Sequence, residues 1–242
     1  MALVREKVYL REAPVVKVTL VADKNSPAMV IKDQFRALQR GAVSVDLIAS
    51  PGDRVPSSLP NFDRTERPDD FERLQPGQTK VYHLEVVSSP PMPGDYIVRV
   101  EFAPTTDPSW KIRQDLRVQY VDIPVTSIKE NIPLVDRIGH GAHAQNRTVE
   151  LLKVMSEEGC QLIYRSFTPE GKVDLVQRLC PLDISSRLAA VSKAFWHKPE
   201  QRDRVWLSQV WVAFNREGEL HLVKLDAVAG NILEDTILGG SQ

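Results

Sequence analysis

The chain has 242 residues, of which 31 are basic and 32 are acidic, so its formal net charge is −1. With 42% hydrophobic and 26% charged residues, the composition is that of a globular protein and excludes disordered, collagen-like and disulfide-dense chains. Because the chain lacks the basic surplus that electrostatic binding to nucleic acid requires, we expect no nucleic-acid partner. No apolar run reaches the length of a membrane-spanning helix, so no transmembrane segment is expected.

The N-terminus lacks the apolar run that a signal peptide requires. We therefore expect a cytoplasmic protein if Met1 is native, and an extracytoplasmic one if Met1 replaces a removed signal. The sequence leaves this choice and the oligomeric state open.

Proline is spread unevenly along the chain, since 14 of the 17 prolines lie at or before Pro133. Proline is kept out of helix interiors and central strands, so the first part is expected to hold short strands and loops. We predict a β-sandwich over residues 1–124, a linker over 125–145 and a small α+β domain over 146–242.

Segments of the first part alternate apolar and polar residues with a period of two, which predicts half-buried strands. Pro-Gly turns at 75–78 and 92–95 separate some of them. The predicted strands are 15–21, 43–49, 81–87, 96–102 and 116–120. Strands at this spacing with no helix between them predict an antiparallel sandwich.

Two phrases of the first part carry a family resemblance: Leu74-Gln75-Pro76-Gly77-Gln78-Thr79, and the run from Pro93 to Val100. Over residues 8–123 the chain resembles bacterial immunoglobulin-like and fibronectin III-like modules. The resemblance implies a sandwich fold and no chemistry. It also implies a tyrosine corner at Tyr96, whose hydroxyl would bond nearby backbone; the alternative is that Tyr96 is an ordinary core aromatic.

The polar stretch 50–73 is long for a loop and is the first candidate for a partner contact in this region. Asp69 and Asp70 lie in it and are candidate binding residues. Their acidic character suggests calcium, but interleaved arginines and the absence of EF-hand spacing favour a solvated loop.

His140 and His143 offer two imidazoles three residues apart, which could share a helix face and bind a metal. No further ligand completes a known spacing, and the alternative is a flexible linker. No cofactor is expected.

Two helices are predicted in the last part. Asn146 is placed to cap a helix over 146–158, which Gly159 would end. Asp183 would cap a second helix, because Ile184, Leu188, Val191 and Phe195 share a face at helical spacing.

A hairpin follows each predicted helix, with strands at 161–167 and 173–179 in the first and 207–214 and 220–226 in the second. Gly171 and Gly218 would take the positive φ of the turns. These elements predict one antiparallel sheet with two helices on one face. The match between the hairpins reflects either duplication or ordinary hairpin chemistry.

The stretch Asp226-Ala227, two residues, Gly230 and a final apolar strand reaching Leu238 is similar to the ending of PepSY-type domains, over about residues 184–238. That resemblance implies an extracytoplasmic binding or protease-restraining module without a catalytic residue.

Cys160 and Cys180 are equally distant from the centre of the first turn, residue 170, so they would lie directly opposite each other in a symmetric hairpin. A cross-strand disulfide is then possible in an oxidising compartment, and two buried thiols are the alternative. Four further residues are candidates for a binding surface or for simple packing: Trp196, Trp206, Trp211 and His221.

No nucleotide-binding, nucleophile-elbow or zinc-protease motif is present in the sequence. The favoured function is a non-enzymatic binding or assembly module that recognises a protein or peptide. One alternative is a hydrolase with an interdomain cleft around His140, His143 and residues 50–73. A second is a self-assembling subunit that exposes a sandwich edge for strand addition.

Overall fold

A computed structural model describes residues 1–33, 37, 42–49, 54–55, 70–86, 90–105, 110–138, 145–197 and 205–240. For 54–55, 136–138, 145, 193–197, 205–208 and 239–240 it describes the backbone alone. The chain divides into two compact units, Met1–Asp122 and Ile123–Gln242.

The first unit contains ten described strands. They are β1 (Ala2–Leu3), β2 (Lys7–Tyr9), β3 (Val15–Val21), β4 (Ala28–Ile31), β5 (Val43–Ala49), β6 (Arg54–Val55), β7 (Phe71–Leu74), β8 (Thr79–Glu85), β9 (Gly94–Phe102) and β10 (Ile112–Val121). The sheet orders are β1-β3-β8, β2-β10-β9-β5-β6 and β4-β7.

The prediction that this part is mainly β is confirmed, because each of the five segments with period-two patterning coincides with a strand over most of its length. Alternate residues of β3, β8, β5, β9 and β10 enter one hydrophobic core, so the three- and five-stranded sheets pack on each other. The pairing is not antiparallel throughout, since β2 lies parallel to β10. The Tyr96 hydroxyl donates to the Met92 carbonyl over 3.0 Å, the bond to nearby backbone that the immunoglobulin-like resemblance implies.

The second unit contains a 3₁₀ turn at Val125–Ser127 and eight strands among its described residues. They are β11 (Ile128–Ile138), β12 (Gln145–Ser156), β13 (Gly159–Phe167), β14 (Val173–Pro181), β15 (Ala189–His197), β16 (Val205–Arg216), β17 (Glu219–Asp226) and β18 (Ile232–Gly240). They form two antiparallel four-stranded sheets, β11-β12-β13-β14 and β15-β16-β17-β18.

One face of each sheet contributes to a shared hydrophobic core. The fully buried residues are Val149, Leu151, Leu162 and Tyr164 from the first sheet, and Val210, Val212, Val223 and Leu225 from the second. The two sheets therefore pack face to face within this unit.

The predicted α+β architecture is wrong. Among the described residues of the second unit there is no α-helix, and the hairpins belong to two sheets rather than one. Strand β12 replaces the first predicted helix, because its alternate residues Arg147, Val149 and Leu151 are buried on one face. Glu157 and Glu158 form its turn into β13, and Gly159 takes φ +104° there.

The second predicted helix is also wrong, because Asp183, its predicted N-cap, binds the amides of a different turn. The Asp183 carboxylate accepts bonds from the amides of Glu217 and Gly218, at 2.9 and 3.0 Å, and so supports the β16–β17 turn. Ile184, expected in the helical apolar face, is 73% exposed. Tertiary hydrogen bonds have overridden a local helix signal.

The PepSY-like ending is not supported, because strand β15 stands where the helix of the expected α+β domain was placed and the described part of 184–238 belongs to an all-β unit. That each unit is an independent domain, with limits at 1–124 and 146–242, stays a prediction. The segment predicted as a linker, 125–145, contains strand β11.

Candidate functional site

Strand β18 lies at the end of the second sheet, where it pairs with β17 on one side. Among the described residues, no strand pairs with its other side. All residues from 232 to 238 are classed as exposed, although the Asp235 side chain is only 28% exposed. Four of them are large aliphatic groups: Ile232 (40% exposed), Leu233 (54%), Ile237 (53%) and Leu238 (54%).

The turn before β18 fixes where this strand begins. The Asp226 carboxylate accepts bonds from the amides of Val228 and Ala229, at 2.7 and 3.2 Å, and the Gly230 amide donates to the Asp226 carbonyl over 2.8 Å. Such side-chain bonds to following amides are typical of Asp in turns. The motif that resembles a PepSY ending is therefore explained by turn chemistry.

Gly230 is required at this turn for two reasons. Its φ is +69°, a conformation that residues with a Cβ adopt at a cost. A Cβ at this position would lie 2.7 Å from the Tyr164 ring. The buried hydroxyl of Tyr164 also donates to the Ala227 carbonyl over 2.5 Å, so the turn is attached to the first sheet.

An ionic cluster attaches β18 to its neighbour on the core face of the sheet. Asp235 accepts a bond from Arg216 over 3.0 Å, and its other oxygen lies 2.7 Å from Nδ1 of His221. The short contact to the carboxylate assigns the Nδ1 proton, which Nδ1 donates to Asp235. The ring of buried His221 stacks on Phe214 with centroids 5.8 Å apart.

Burial would raise the pKa of Asp235, but the bonds from His221 and Arg216 outweigh it and hold the pKa below its usual value. On the opposite face Lys224 pairs with Glu234 over 2.5 Å and lowers the pKa of that carboxyl. Polar contacts thus fix the register of β18 while its aliphatic side chains stay in solvent.

The two cysteines are free thiols and are not directly opposite each other. An irregularity between Leu162 and Ile163 shifts the hairpin, so that Cys180 pairs with Leu162. Cys160 instead accepts a backbone bond from the Leu182 amide over 2.9 Å. The symmetric register assumed for the predicted disulfide is therefore not the one observed.

Both thiols lack the activation that a cysteine nucleophile needs. Burial raises the pKa of Cys160, and it raises the pKa of Cys180 to about 11 although Arg216 acts in the opposite direction. A nucleophilic cysteine has a lowered pKa, so that it is a thiolate at neutral pH.

Among the other predicted site residues that the structure describes, Trp196 and Trp206 are paired and the rest make separate contacts. Trp211 is half-buried: its indole N–H donates to Gln209 over 3.2 Å, and the Lys224 ammonium lies 4.7 Å from its ring centroid. Trp196 and Trp206 are directly opposite each other in β15 and β16, where the backbone alone is described. Asp70 is buried, and its carbonyl accepts from the Lys32 amide over 2.9 Å.

Asp69, His140 and His143 lie outside the described residues, as does most of 50–73. The hydrolase alternative depends on these residues and stays a prediction. Within the described part of the chain, no three His, Cys, Asp or Glu side chains form a group that could hold a metal ion. No described helix is long and apolar enough to span a membrane.

A concave surface of about 820 Å³ crosses the outer face of the five-stranded sheet in the first unit. Ile48 and Ile97 lie in it beside charged groups of both signs, among them Lys7, Arg117 and Asp95. Its Arg99 is engaged by a bidentate pair with Asp115 at 2.8 Å. Because its charges are mixed, this surface does not select one class of ligand.

Sequence reasoning missed β18 as a site, although it predicted the strand. The available signal was the pair of aliphatic residues on each side of Glu234-Asp235-Thr236 in the last strand. Whether such residues are buried depends on the position of the strand in its sheet, which the local pattern does not contain.

Comparison with known proteins gives no family assignment. No family model and no curated protein matches the chain. One solved structure that shows similarity is the periplasmic chaperone SfaE, with 13% identity, coverage of 73% of this chain and 97% of that chain, and a TM-score of 0.24. A likeness at this level carries no argument about function.

Proposed function

We propose that this chain is a non-enzymatic binding and assembly module that joins another polypeptide by strand addition at β18. The observation that carries the proposal is an edge strand with four exposed aliphatic side chains in the second sheet. A further strand placed beside β18 would pair with its outward backbone N–H and C=O groups.

Both the backbone and the side chains of β18 favour association with a further strand. Natural proteins usually protect an exposed edge with charge, proline, a bulge or a very short strand, since an open edge invites pairing. The pairing of β18 with β17 is irregular at Leu233 and at Leu238, so the regular stretch of this edge is 234–237. In β18 the two acidic groups are engaged by Arg216, His221 and Lys224, so they do not offer free charge at the edge. The aliphatic groups then supply the apolar area that favours association.

The test compares wild type with the double variant Leu233→Lys/Ile237→Lys. Both side chains are exposed and outside the core, so the variant is expected to fold. Val191→Lys is the matched control, because Val191 is a similarly exposed aliphatic residue on β15, at the opposite edge of the same sheet. Each protein is immobilised at low density and exposed to extract of the source cells.

The proposal expects a polypeptide that wild type and the Val191 control retain and that the double variant loses. In the purified complex, amides within 232–238 should then exchange hydrogen more slowly than in the free chain. Equal retention by all three proteins, or unchanged exchange in 232–238, would contradict strand addition at β18.

A further inference from the structure

Strand β12 places two cationic side chains in the interior of the second unit, Arg147 and Lys153. The Lys153 ammonium donates to the carbonyls of Ile184 and Ser186, at 2.5 Å each, so backbone acceptors replace the water that it loses on burial. Arg147 is the one arginine among the described residues that is buried, with 6% of its surface exposed. A buried guanidinium needs acceptors and a counter-charge at least as much as a buried ammonium does, because desolvation of an unpaired ion is costly.

The guanidinium of Arg147 has few partners for a buried group. One terminal N–H donates to the Tyr164 hydroxyl over 3.4 Å, which is long for a hydrogen bond, and Nε has no partner among the described residues. The Tyr164 hydroxyl donates its own proton to the Ala227 carbonyl. Within the described part of the chain no carboxylate pairs with Arg147, whereas Arg165 of the next strand is paired with Glu150. The positive charge of Arg147 is therefore left without compensation by the described residues.

A second buried donor lies near Arg147. The Ser166 side chain is fully buried, and its hydroxyl has no hydrogen-bond partner among the described residues. Val149 pairs with Ser166 across β12 and β13. Arg147, two residues before Val149, is therefore the diagonal neighbour of Ser166 on the core face of the sheet, a separation that a long side chain can span. Two buried groups that can each donate a hydrogen bond thus share one place between the sheets.

We propose that Arg147 and Ser166 form a binding site for a carboxylate, a singly charged anion that the guanidinium holds and the hydroxyl orients. Both side chains can donate hydrogen bonds, and Arg147 contributes one positive charge, so the ligand must be an acceptor with negative charge. The guanidinium presents its N–H groups as a planar fork that matches the two oxygens of a carboxylate. A doubly charged phosphate would keep an unpaired negative charge in the interior, which burial disfavours.

Urea unfolding at increasing sodium acetate tests the site, with ionic strength kept constant by a bulky sulfonate salt that a buried site would exclude. An anion that binds only the folded chain raises its stability with concentration. The midpoint of wild type should therefore rise with acetate, that of Arg147→Met should not, and Ser166→Ala should need a roughly tenfold higher acetate concentration for the same rise. Arg165→Met is the matched control, because Arg165 already has Glu150 as its counter-ion, and it should respond like wild type.

The samples without acetate distinguish a ligand site from an ion pair within the chain. Arg147→Met removes a buried charge that lacks a partner, so without acetate it should be at least as stable as wild type. Asp136 pairs with Arg147 in the β11–β12 register, so its carboxylate is the alternative source of the counter-charge. In that case wild type would not respond to acetate, Asp136→Asn would gain a response, and Arg147→Met would be the less stable protein throughout. Either that pattern or an equal response of wild type and Arg147→Met would overturn the proposal.

Binding to the folded proteins is measured directly from the carboxyl resonance of ¹³C-labelled acetate. Wild type and Arg165→Met should broaden or shift this resonance, whereas Arg147→Met should leave it unchanged. A resonance that wild type does not affect would refute the site, even if acetate changes the unfolding midpoint.

Discussion

Replacement of Gly230 by Ala tests how the turn before β18 is attached to the first sheet. The new Cβ would lie 2.7 Å from Cδ1 and 3.2 Å from Cε1 of Tyr164, a fully buried side chain. The left-handed conformation at φ +69° adds a second cost. The variant is therefore expected to destabilise this unit through both steric contact and backbone strain.

The magnitude follows from these two terms. A non-glycine residue in the left-handed region costs about 1–2 kcal/mol, and forcing a packed core to accept an extra methyl group costs about 1–3 kcal/mol. Together they predict a loss of about 2–5 kcal/mol in the free energy of unfolding. Gly171→Ala is the control, because Gly171 has φ +79° and a Cβ there would meet nothing within 4 Å.

Urea unfolding followed by tryptophan fluorescence measures this difference, since Trp196, Trp206 and Trp211 all lie in the second unit. Gly230→Ala should lower the transition midpoint clearly more than Gly171→Ala does. Equal midpoints for the two variants would refute the claim that the turn packs on Tyr164.

Three further outcomes follow from the structure. Asp183→Ala should lower the free energy of unfolding by about 1–3 kcal/mol in the same assay, because the Glu217 and Gly218 amides lose their acceptor; an unchanged midpoint would contradict that role. Because the folded pKa of Asp235 lies below its unfolded value of about 3.9, its stabilising effect is present above that pH and is lost as pH falls through the folded pKa. The stability gap between wild type and Asp235→Asn should therefore shrink on acidification, and a constant gap would argue against the ionic cluster. Burial raises the pKa of the Cys160 thiol and raises that of Cys180 to about 11, so both should react slowly with a disulfide reagent at neutral pH in the folded protein and rapidly in urea. Fast reaction in the folded protein would contradict this.

The first unit was predictable from local pattern because its strands are half-buried. Val16, Val18 and Leu20 of β3 alternate with exposed residues, and so do Tyr96, Val98 and Val100 of β9. A period of two then identifies both the strand and its core face. The hydrogen bond of the Tyr96 hydroxyl was anticipated as well, since it depends on a nearby turn.

The second unit was mispredicted because signals for turns resemble signals for helix ends. Asn146 and Gly159 mark the two ends of a helix in local reasoning, but here Asn146 lies at the start of strand β12 and Gly159 is the first residue of β13. Local reasoning makes Asp183 a cap for the residues that follow it, but its partners, Glu217 and Gly218, lie more than thirty residues away in sequence. Hydrogen bonds between residues so far apart in sequence produce no periodic pattern of apolar and polar residues.

The exposure of β18 could not be predicted from the sequence pattern either. The aliphatic residues of β18 look like a core strand, and the order of strands in the sheet places them at an edge instead. The ionic cluster of Arg216, His221 and Asp235 joins three strands, so spacing along the chain could not reveal it. Of these three residues the sequence identifies only His221 as a candidate, for a binding surface or for packing, and it is buried.

Hydrogen exchange of the amides in 232–238 tests the central claim that another polypeptide completes β18 by strand addition. In the free chain the outward-pointing amides should exchange rapidly while those paired with β17 are protected. In the complex with the retained polypeptide the outward-pointing amides should become protected too. Exchange in 232–238 that is the same in the free chain and in the complex would contradict the account.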